Sequence, residues 1–577
     1  MNAIFISTSA FDDYGGWVLD TQFITNIGAS YLLAHGLGKK VRDAVKKIYV
    51  EESGKYKIWA YTKDWVAHWK QNAAPGLFKI KINKWQSDIL GDEDKEWHWQ
   101  EAGICDIEQG EASISLNDLT GFEGRCAAIL LTADINFVPE SGETEFVNLR
   151  ETLCGRQAPE NAGYFDIVVA GGGIAGMSAA VTAAKNNLKV ALIQDRLVLG
   201  GNNSSEVRVW LSGETNFEPF KKIGDITRLF EPEKHAHYGP SNTGDLYEDD
   251  NRIAIIKSFP NISLFLGCFL KEARVDENNI IKSVTCIDVK TYAEKIFKAN
   301  LFVDATGDAT LGYTAGADYE ITTNGHMGMT NVWHIEKAET EQEFPRCPWA
   351  IDLSNVNFPG RKTEKDPYDR DVQSGPESLG GWYWESGMEY NPIKKAEYAR
   401  DTNFRAMYGA VDCIKNTDGN YKNYYLKFAA YIGGKRESRR LLGDIILTKS
   451  DVLENHEFDD RCVPSSWLVD VHYPDRKYYP AFHEGDAFIA EAYMEKFPVN
   501  PYWVPYRCLY SRNIKNLFMA GRDVSVSHDA LGTVRVMRTG GMMGEVVGYA
   551  AGLCKKYGAL PRDIYTNHLE EFINLLK

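Results

Sequence analysis

What this 577-residue chain lacks narrows its function before any motif is read. Its ten cysteines stand at 105, 126, 154, 268, 286, 347, 413, 462, 508 and 554, and no two of them form a C-x-x-C pair. The usual zinc, iron–sulfur and thioredoxin-type spacings are therefore missing, no metal site is expected, and the cysteines read as small core residues. No apolar stretch approaches the roughly 20 residues of a membrane-spanning helix, so no membrane partner is expected. With 64 Lys and Arg against 80 Asp and Glu, the net charge of −16 argues against nucleic acid and anionic membrane surfaces as partners. The first residues, MNAIFISTSAFDDYGGW, lack the basic start and long apolar region of a signal peptide, which points to the cytoplasm. A chain trimmed of a leader would read the same, so a periplasmic or secreted location stays open. Internal repeats, heptads and low-complexity tracts are absent too, which excludes solenoids and coiled coils.

Aromatic residues are plentiful by contrast, at 12% with 14 Trp and 30 Tyr, which suits either stacking on sugar rings or β-sheet cores. Residues 1–150 carry short strand candidates, Tyr56–Tyr61, Leu77–Ile82, Ala112–Leu116 and Ala127–Thr132, separated by turn residues. They predict an all-β sandwich domain. Trp59, Trp65, Trp69, Trp85, Trp97 and Trp99 either line a carbohydrate-binding face or fill the core, and the core reading is slightly favoured. The stretch resembles, diffusely, the jelly-roll accessory modules of polysaccharide-acting proteins. Residues 151–163 read as a linker.

After it comes FDIVVAGGGIAGMSAAVTAAKNNLKVALIQDRLVLGGNNSSEVR, Phe165 to Arg208. The order is a buried strand, a glycine turn, an alanine-rich helix and a second strand. Only in that setting does G-x-G-x-x-G signify dinucleotide binding. Gly171 and Gly173 let the backbone turn and approach a pyrophosphate, and Gly176 lets the helix pack close to the sheet. The group for the adenosine ribose is expected about 20 residues after the first glycine, where Gln194 and Asp195 stand. A carboxamide there can accept a ribose hydrogen bond but lacks the usual acidic charge, which Asp195 is placed to supply.

Three segments then fall into one pattern: GGG-x-A-G followed by Leu199-Gly200-Gly201, LFVDATGD at Leu301–Asp308, and NLFMAGRDVSVSHDALGTVRVMRTGG from Asn516. Together they resemble the FAD-dependent oxidoreductase family of two-dinucleotide-binding-domain flavoproteins. The resemblance implies a Rossmann-type α/β FAD-binding domain, residues 164–325 and 500–577, with an inserted α+β substrate domain, residues 326–499. It implies FAD as cofactor, held by Gly171, Gly173, Ile174, Ala175 and Gly176 and by Gln194, Asp195 and Arg196. Gly200, Gly201, Asn202, Asn203, Ser205 and Arg208 would run along it, as would Ala305, Thr306 and Gly307. Gly521, Arg522 and Asp523 would meet the ribitol or pyrophosphate. Gly532, Thr533 and Val534 would open a helix aimed at the flavin's pyrimidine edge.

Within the substrate domain, Ala396–Lys415 predicts an amphipathic helix, and the aromatic loop GWYWESG, Gly381–Gly387, suits a pocket wall. The four basic residues of GGKRESRRLLGD, Gly433–Asp444, either face the FAD phosphates or pair within the domain. Oxidation of an alcohol or amine needs a base for its O–H or N–H proton, and histidine is the default near neutral pH. Of the 12 histidines His528 is best placed, just before the flavin-facing segment; His472 and His483 come second and His326 after them. Any one of them is more often structural than catalytic. Arg208, Arg535 and Arg538 are candidates to orient a carboxylate, a sugar hydroxyl or the flavin, with Glu206 and Asn203 at its edge. The expected activity is oxidation of a small-molecule substrate, a sugar or glycoside, by hydride transfer to flavin N5. An amine, a hydroxy acid or an unsaturated ring is the alternative, as is a carbohydrate-binding protein with a non-catalytic flavin unit. No second G-x-G-x-x-G follows a strand, so the electron acceptor is oxygen, a quinone or a carrier rather than a built-in nicotinamide domain. The sequence does not specify oligomeric state or covalent attachment of the flavin.

Overall fold

The computed structural model describes residues 2–234, 241–362, 375–475, 487–496 and 501–577. The run Ile167–Ala170 carries no polar alternation because both its faces are covered. It ends the strand Glu160–Ala170, which lies inside a seven-stranded sheet. On one side Val190–Ile193 and then Ile262–Phe265 follow in parallel. On the other, Glu294–Asp304 is parallel, and the antiparallel strands Ile281–Asp288 and Cys268–Val275 extend the sheet. A short strand, Leu517–Met519, pairs in parallel with Phe302–Asp304. The register sets Ala170 beside Ile193 and Asp304, and Asp304 beside Met519. Four parallel strand ends thus stand in one row, the place where open α/β sheets form their ligand crevice.

Two helices close one face of this sheet. Ile174–Lys185 follows the first strand, and Met537–Tyr557 packs along it so closely that a Cβ on Gly544 would lie 2.1 Å from the Ala175 carbonyl oxygen. No helix among the described residues is long and apolar enough to cross a membrane.

The predicted N-terminal strands lie within Gly54–Thr62, Phe78–Ile82, Gly110–Asp118 and Ala128–Thr132. They belong to two four-stranded antiparallel sheets whose apolar side chains, among them Ile58, Ile80, Ile114 and Leu131, share one core. Two helical segments accompany them, Ile24–Ile27 and Glu143–Cys154. The stretch read as a linker is not an open tether. Its start completes the helix Glu143–Cys154 and its end begins the strand Glu160–Ala170, while Arg150 donates to the Gly28 carbonyl at 2.7 Å and stacks over Tyr292. Nine of the ten cysteines are buried and all are unpaired.

The six tryptophans weighed as a carbohydrate-binding face are engaged in packing contacts. Trp65 meets Trp349 and Phe404 edge-on, Trp69 packs on Tyr398, and Trp97 donates to Glu397 at 3.1 Å. Trp59 and Trp99 are buried in a cluster with Phe146, and Trp85 lies against the module's own core. Tyr398, Phe404 and Glu397 all belong to the helix Ala396–Asp412, which is buried on every side rather than amphipathic because the N-terminal module covers its outer face.

Buried ion pairs seal that junction. Arg125 binds Asp401 through two bonds of 3.0 and 3.1 Å and Glu397 at 2.7 Å, and Arg400 pairs with Asp20 and Asp401. Removing one partner of such a pair leaves the other charged and desolvated. Arg125→Ala is therefore expected to lower stability by about 3–5 kcal/mol, read as a fall in urea midpoint at neutral pH. An unchanged midpoint would mean that the junction is not stabilised by these charges.

Candidate functional site

The glycine turn is wedged against its neighbours. Gly171 has φ +103°, and a Cβ there would come 2.2 Å from the Ala305 carbonyl oxygen; one on Gly176 would come 1.8 Å from that of Gly171. Gly521, also left-handed at φ +107°, lies on Ala175. The three segments singled out in the sequence therefore converge at the row of strand ends, with the N-terminus of the helix Ile174–Lys185 directed at the gap between them.

Within this crevice Asp304 accepts from the Thr306 amide and hydroxyl, and Asp523 accepts from the Gly307 amide at 3.2 Å. Burial, and then the nearby Asp304, push the Asp523 carboxyl well above the usual carboxylate range. Its other oxygen, Oδ1, and Nη1 of neighbouring Arg522 are buried with no hydrogen-bond partner. Buried polar atoms are rarely left so, and two together in a crevice mark where a polar ligand belongs. Asn202 of the Gly200–Gly201 loop donates to the Lys435 carbonyl at 3.2 Å, and Lys435 pairs with Asp308 at 2.5 Å.

Some expected roles change. Gln194 does not project towards a ribose: its oxygen accepts from the Gly172 amide at 2.7 Å and its nitrogen donates to Val198. The neutral carboxamide can brace the glycine turn from both ends where a carboxylate cannot donate, and Asp195 is left as the acidic side chain there. Asn203 and Ser205 are engaged by Arg252 and Asp249. Arg196 pairs with Glu206 at 2.9 Å. No helix starts at Thr533. A short one, His528–Val534, ends there and the long helix begins at Met537. Gly532 and Thr533 are packed inward, on Asp470 and on Trp467 and Tyr502. The break follows from the Ser527 cap, whose hydroxyl accepts from the Ala530 amide and so starts the helix early.

The histidines divide into two settings. His472 is 2% exposed and committed on both nitrogens, Nδ1 to Glu385 at 2.6 Å and Nε2 towards Asp470 at 3.2 Å. His528 shares its Nδ1 with Glu437 at 2.8 Å, while its Nε2 has only Asp529 at 4.0 Å, beyond hydrogen-bond reach. The two settings join through the backbone of the segment following His326: Met327 donates to Glu437 and Gly328 to Glu385. His326 itself is buried, with Nδ1 unpartnered, and burial holds its pKa below the ordinary histidine value. Arg208 is not part of this cluster. It stacks on Phe428, donates to Ser205 and Asn242, and lines a separate cavity of about 1060 Å³ with His35, Glu206 and Tyr431. Arg538 is paired with Glu231. His483 lies outside the described residues.

Charge is matched pair by pair. Arg436 faces Glu385 at 3.4 Å, Arg535 faces Asp470 at 3.0 Å, and Arg440 holds Glu437. Three of the four basic residues of Gly433–Asp444, Lys435, Arg436 and Arg440, are thus in ion pairs, while Arg439 donates to the Asp308 carbonyl and stacks on Tyr313. Burial would raise the Glu385 carboxyl, but Arg436 and His472 overcome it and bring it to about 2. Asp470 is likewise held at about 2, against burial, by His472 and Arg535. Both carboxyls sit lower in the folded than in the unfolded chain. Their contribution is complete above about pH 4.5 and is lost as pH falls towards about 2. Glu385→Gln is expected to flatten the dependence of urea midpoint on pH across that window; a slope equal to wild type would contradict the assignment. Glu385, Glu437 and Asp470 were not singled out in the sequence. Glu385 lies in the loop noticed for its aromatics and Glu437 in the stretch noticed for its cations.

A family model of FAD dependent oxidoreductases matches residues 166–573. The chain belongs to this family. It is an FAD-dependent oxidoreductase, and FAD is its cofactor. There is no match among curated proteins. Among solved structures the chain is similar to a geranylgeranyl bacteriochlorophyll reductase-like protein from Thermoplasma acidophilum, at 12% identity over 73% of this chain and 84% of that one, TM-score 0.34. It is similar to anhydrotetracycline hydroxylase from Streptomyces rimosus, at 11% identity over 72% and 65%, TM-score 0.33. Its similarity to a family 35 carbohydrate binding module from Clostridium thermocellum, at 17% identity, spans 23% of this chain and 99% of that one, TM-score 0.19.

The residues present fit FAD. The glycine turn offers backbone amides and a helix N-terminus to a pyrophosphate, and the unpartnered Asp523 Oδ1 and Arg522 Nη1 suit the ribitol hydroxyls and phosphate oxygens. Asp195, at the end of the second strand, is the acidic side chain that would meet the ribose.

Proposed function

We propose that this chain oxidises a hydroxyl of a neutral sugar or glycoside, with His528 as the base. The observation that carries the reading is a histidine with one nitrogen anchored and the other open, beside a cluster of carboxylates and guanidiniums that face one another in pairs. FAD, when bound, supplies the two-electron acceptor for the C–H hydrogen. Glu437, kept ionised against its burial by His528 and Arg440, accepts the proton on Nδ1 and so leaves Nε2 bare. That nitrogen is placed to take the hydroxyl proton. Asp523 and His528 sit on one short segment, so the base and the cofactor crevice are tied together in the chain.

The substrate's neutrality follows from the pairing. A hydroxy acid calls for a spare guanidinium and an amine for a spare carboxylate, yet Arg436, Arg440 and Arg535 each already face Glu385, Glu437 or Asp470. What is left over, His326 Nδ1, Arg535 Nε and Asp470 Oδ1, consists of single buried polar atoms of the kind a hydroxyl satisfies. Trp382, with its ring 5.1 Å from that of His472, adds an aromatic wall suited to a sugar face. The N-terminal tryptophans lend no support here, since Trp59, Trp65 and Trp99 are buried and Trp69 and Trp97 pack on the helix Ala396–Asp412.

The test is an anaerobic panel of neutral glycosides, amines and hydroxy acids, read by loss of the visible flavin band. Reduction by a neutral glycoside and not by charged substrates is expected. Reduction by an amine or a hydroxy acid alone would overturn the substrate class and leave the FAD assignment standing.

A further inference from the structure

The segment Ala429–Gly433, which follows the end of the strand Tyr424–Ala429, is held from two sides. Its even-numbered residue faces the substrate domain: the Ala430 amide donates to Val332 at 2.8 Å and its carbonyl accepts from Asn331 at 2.9 Å. Its odd-numbered residues face the N-terminal module. His35 Nε2 lies 2.8 Å from the Ala429 carbonyl. Gln22 takes the next two positions with one carboxamide, donating to the Tyr431 carbonyl at 3.0 Å and accepting from the Gly433 amide at 2.8 Å. Gln22 is itself fixed, since Asp20 accepts from both its backbone and its side-chain nitrogen at 3.0 Å.

The chain just beyond this segment bears on the cofactor. Two residues past Gly433 stands Lys435, whose carbonyl is bound by Asn202 of the glycine loop and whose ammonium pairs with Asp308 of the ATGD strand end. Arg436, next in line, donates to Thr330 and Trp382 and faces Glu385 in the charged cluster. The Tyr431 hydroxyl donates to Glu206, which is tied to Arg196 beside the ribose position. The clamped segment thus leads straight into the junction of the cofactor crevice and that cluster.

We propose that the N-terminal module works as a clamp on the cofactor site, with Gln22 as the positioning residue that sets Lys435 and Arg436. The module's likeness to sugar-binding units then describes its architecture, while its task in this chain is to hold Ala429–Gly433 in register. Gln22 touches neither cofactor nor substrate; it acts through the backbone of Tyr431 and Gly433.

The test compares holoenzymes of wild type, Gln22→Ala, His35→Ala and Tyr49→Ala, the last an exposed residue of the same module. Release of FAD on dilution, followed by flavin fluorescence, gives affinity. The shape of the visible band reports the flavin's surroundings, which a loss of global stability does not change. Gln22→Ala, losing two hydrogen bonds to one segment, is expected to weaken FAD retention about tenfold and to alter the band, with circular dichroism as in wild type. His35→Ala should act in the same direction and Tyr49→Ala should match wild type. Gln22→Glu, which keeps the acceptor and loses the donor, should fall between. Wild-type retention and band shape in Gln22→Ala would overturn the proposal, as would equal losses in Tyr49→Ala. Failure of both Gln22→Ala and His35→Ala to fold would overturn it too, because the module would then serve folding alone.

Discussion

Gly176→Ala is expected to yield protein with little or no bound FAD. The added methyl would lie 1.8 Å from the Gly171 carbonyl oxygen, a contact that only backbone movement relieves. Neither side has room to move. Gly171 is itself pressed against the Ala305 carbonyl, and the helix bearing Gly176 is locked from behind by Gly544 at the Ala175 carbonyl. The helix must therefore swing away from the strand ends, taking its N-terminus and the turn's amides out of place for a pyrophosphate. Overpacking of this kind costs up to about 3 kcal/mol, equivalent to roughly a hundredfold in FAD affinity. The check is the flavin absorbance of purified protein, set beside circular dichroism to show that the fold persists. FAD content equal to wild type would show that the turn does not hold the cofactor.

His528→Asn is expected to slow reduction of the bound flavin by about a thousandfold, the middle of the range for loss of a general base. The variant should keep its FAD, because the contacts of His528 run to Glu437 and not to the glycine turn or Arg522. Glu437→Gln should slow the same step less: the amide can still hold the ring in place, but it no longer fixes which nitrogen carries the proton. His472→Asn provides the contrast. With both nitrogens bound to carboxylates, its loss should show first in stability. Rapid anaerobic mixing separates these outcomes, and an unchanged reduction rate in His528→Asn would remove His528 as the base.

The cofactor half of the molecule was legible because its chemistry is local. The turn, the ATGD strand end and the AGRD segment each announce themselves through glycines that only a close backbone approach requires, and their order along the chain matched their meeting in space. Two details inside those segments were not legible. Gln194 was judged by its place at the end of a strand, whereas its direction is set by the neighbouring Gly172 amide and Val198 carbonyl. The helix start at His528 depended on the Ser527 cap, a signal present in the sequence but outweighed by the expectation of a helix at Thr533.

The charged cluster around His528 and His472 was harder to read because its parts are remote from one another. Glu385, Glu437, Asp470 and His528 come from four separate segments, and no spacing rule links them. The pairs Arg436–Glu385 and Arg535–Asp470 join residues far apart in the chain, and only Arg440–Glu437 is local. The tryptophans were ambiguous in another way. Stacking on sugar and stacking in a core require the same residues, and the buried helix Ala396–Asp412, which decides between them, lies hundreds of residues further on.

One measurement bears most directly on the account. The holoenzyme is mixed anaerobically with the neutral glycoside that bleaches its flavin best, and the product is identified by mass. The account predicts one equivalent of a carbonyl sugar, lighter than the substrate by two hydrogens, for each FAD reduced. A flavin that stays oxidised with every neutral sugar, or that is reduced without a carbonyl product, would contradict it.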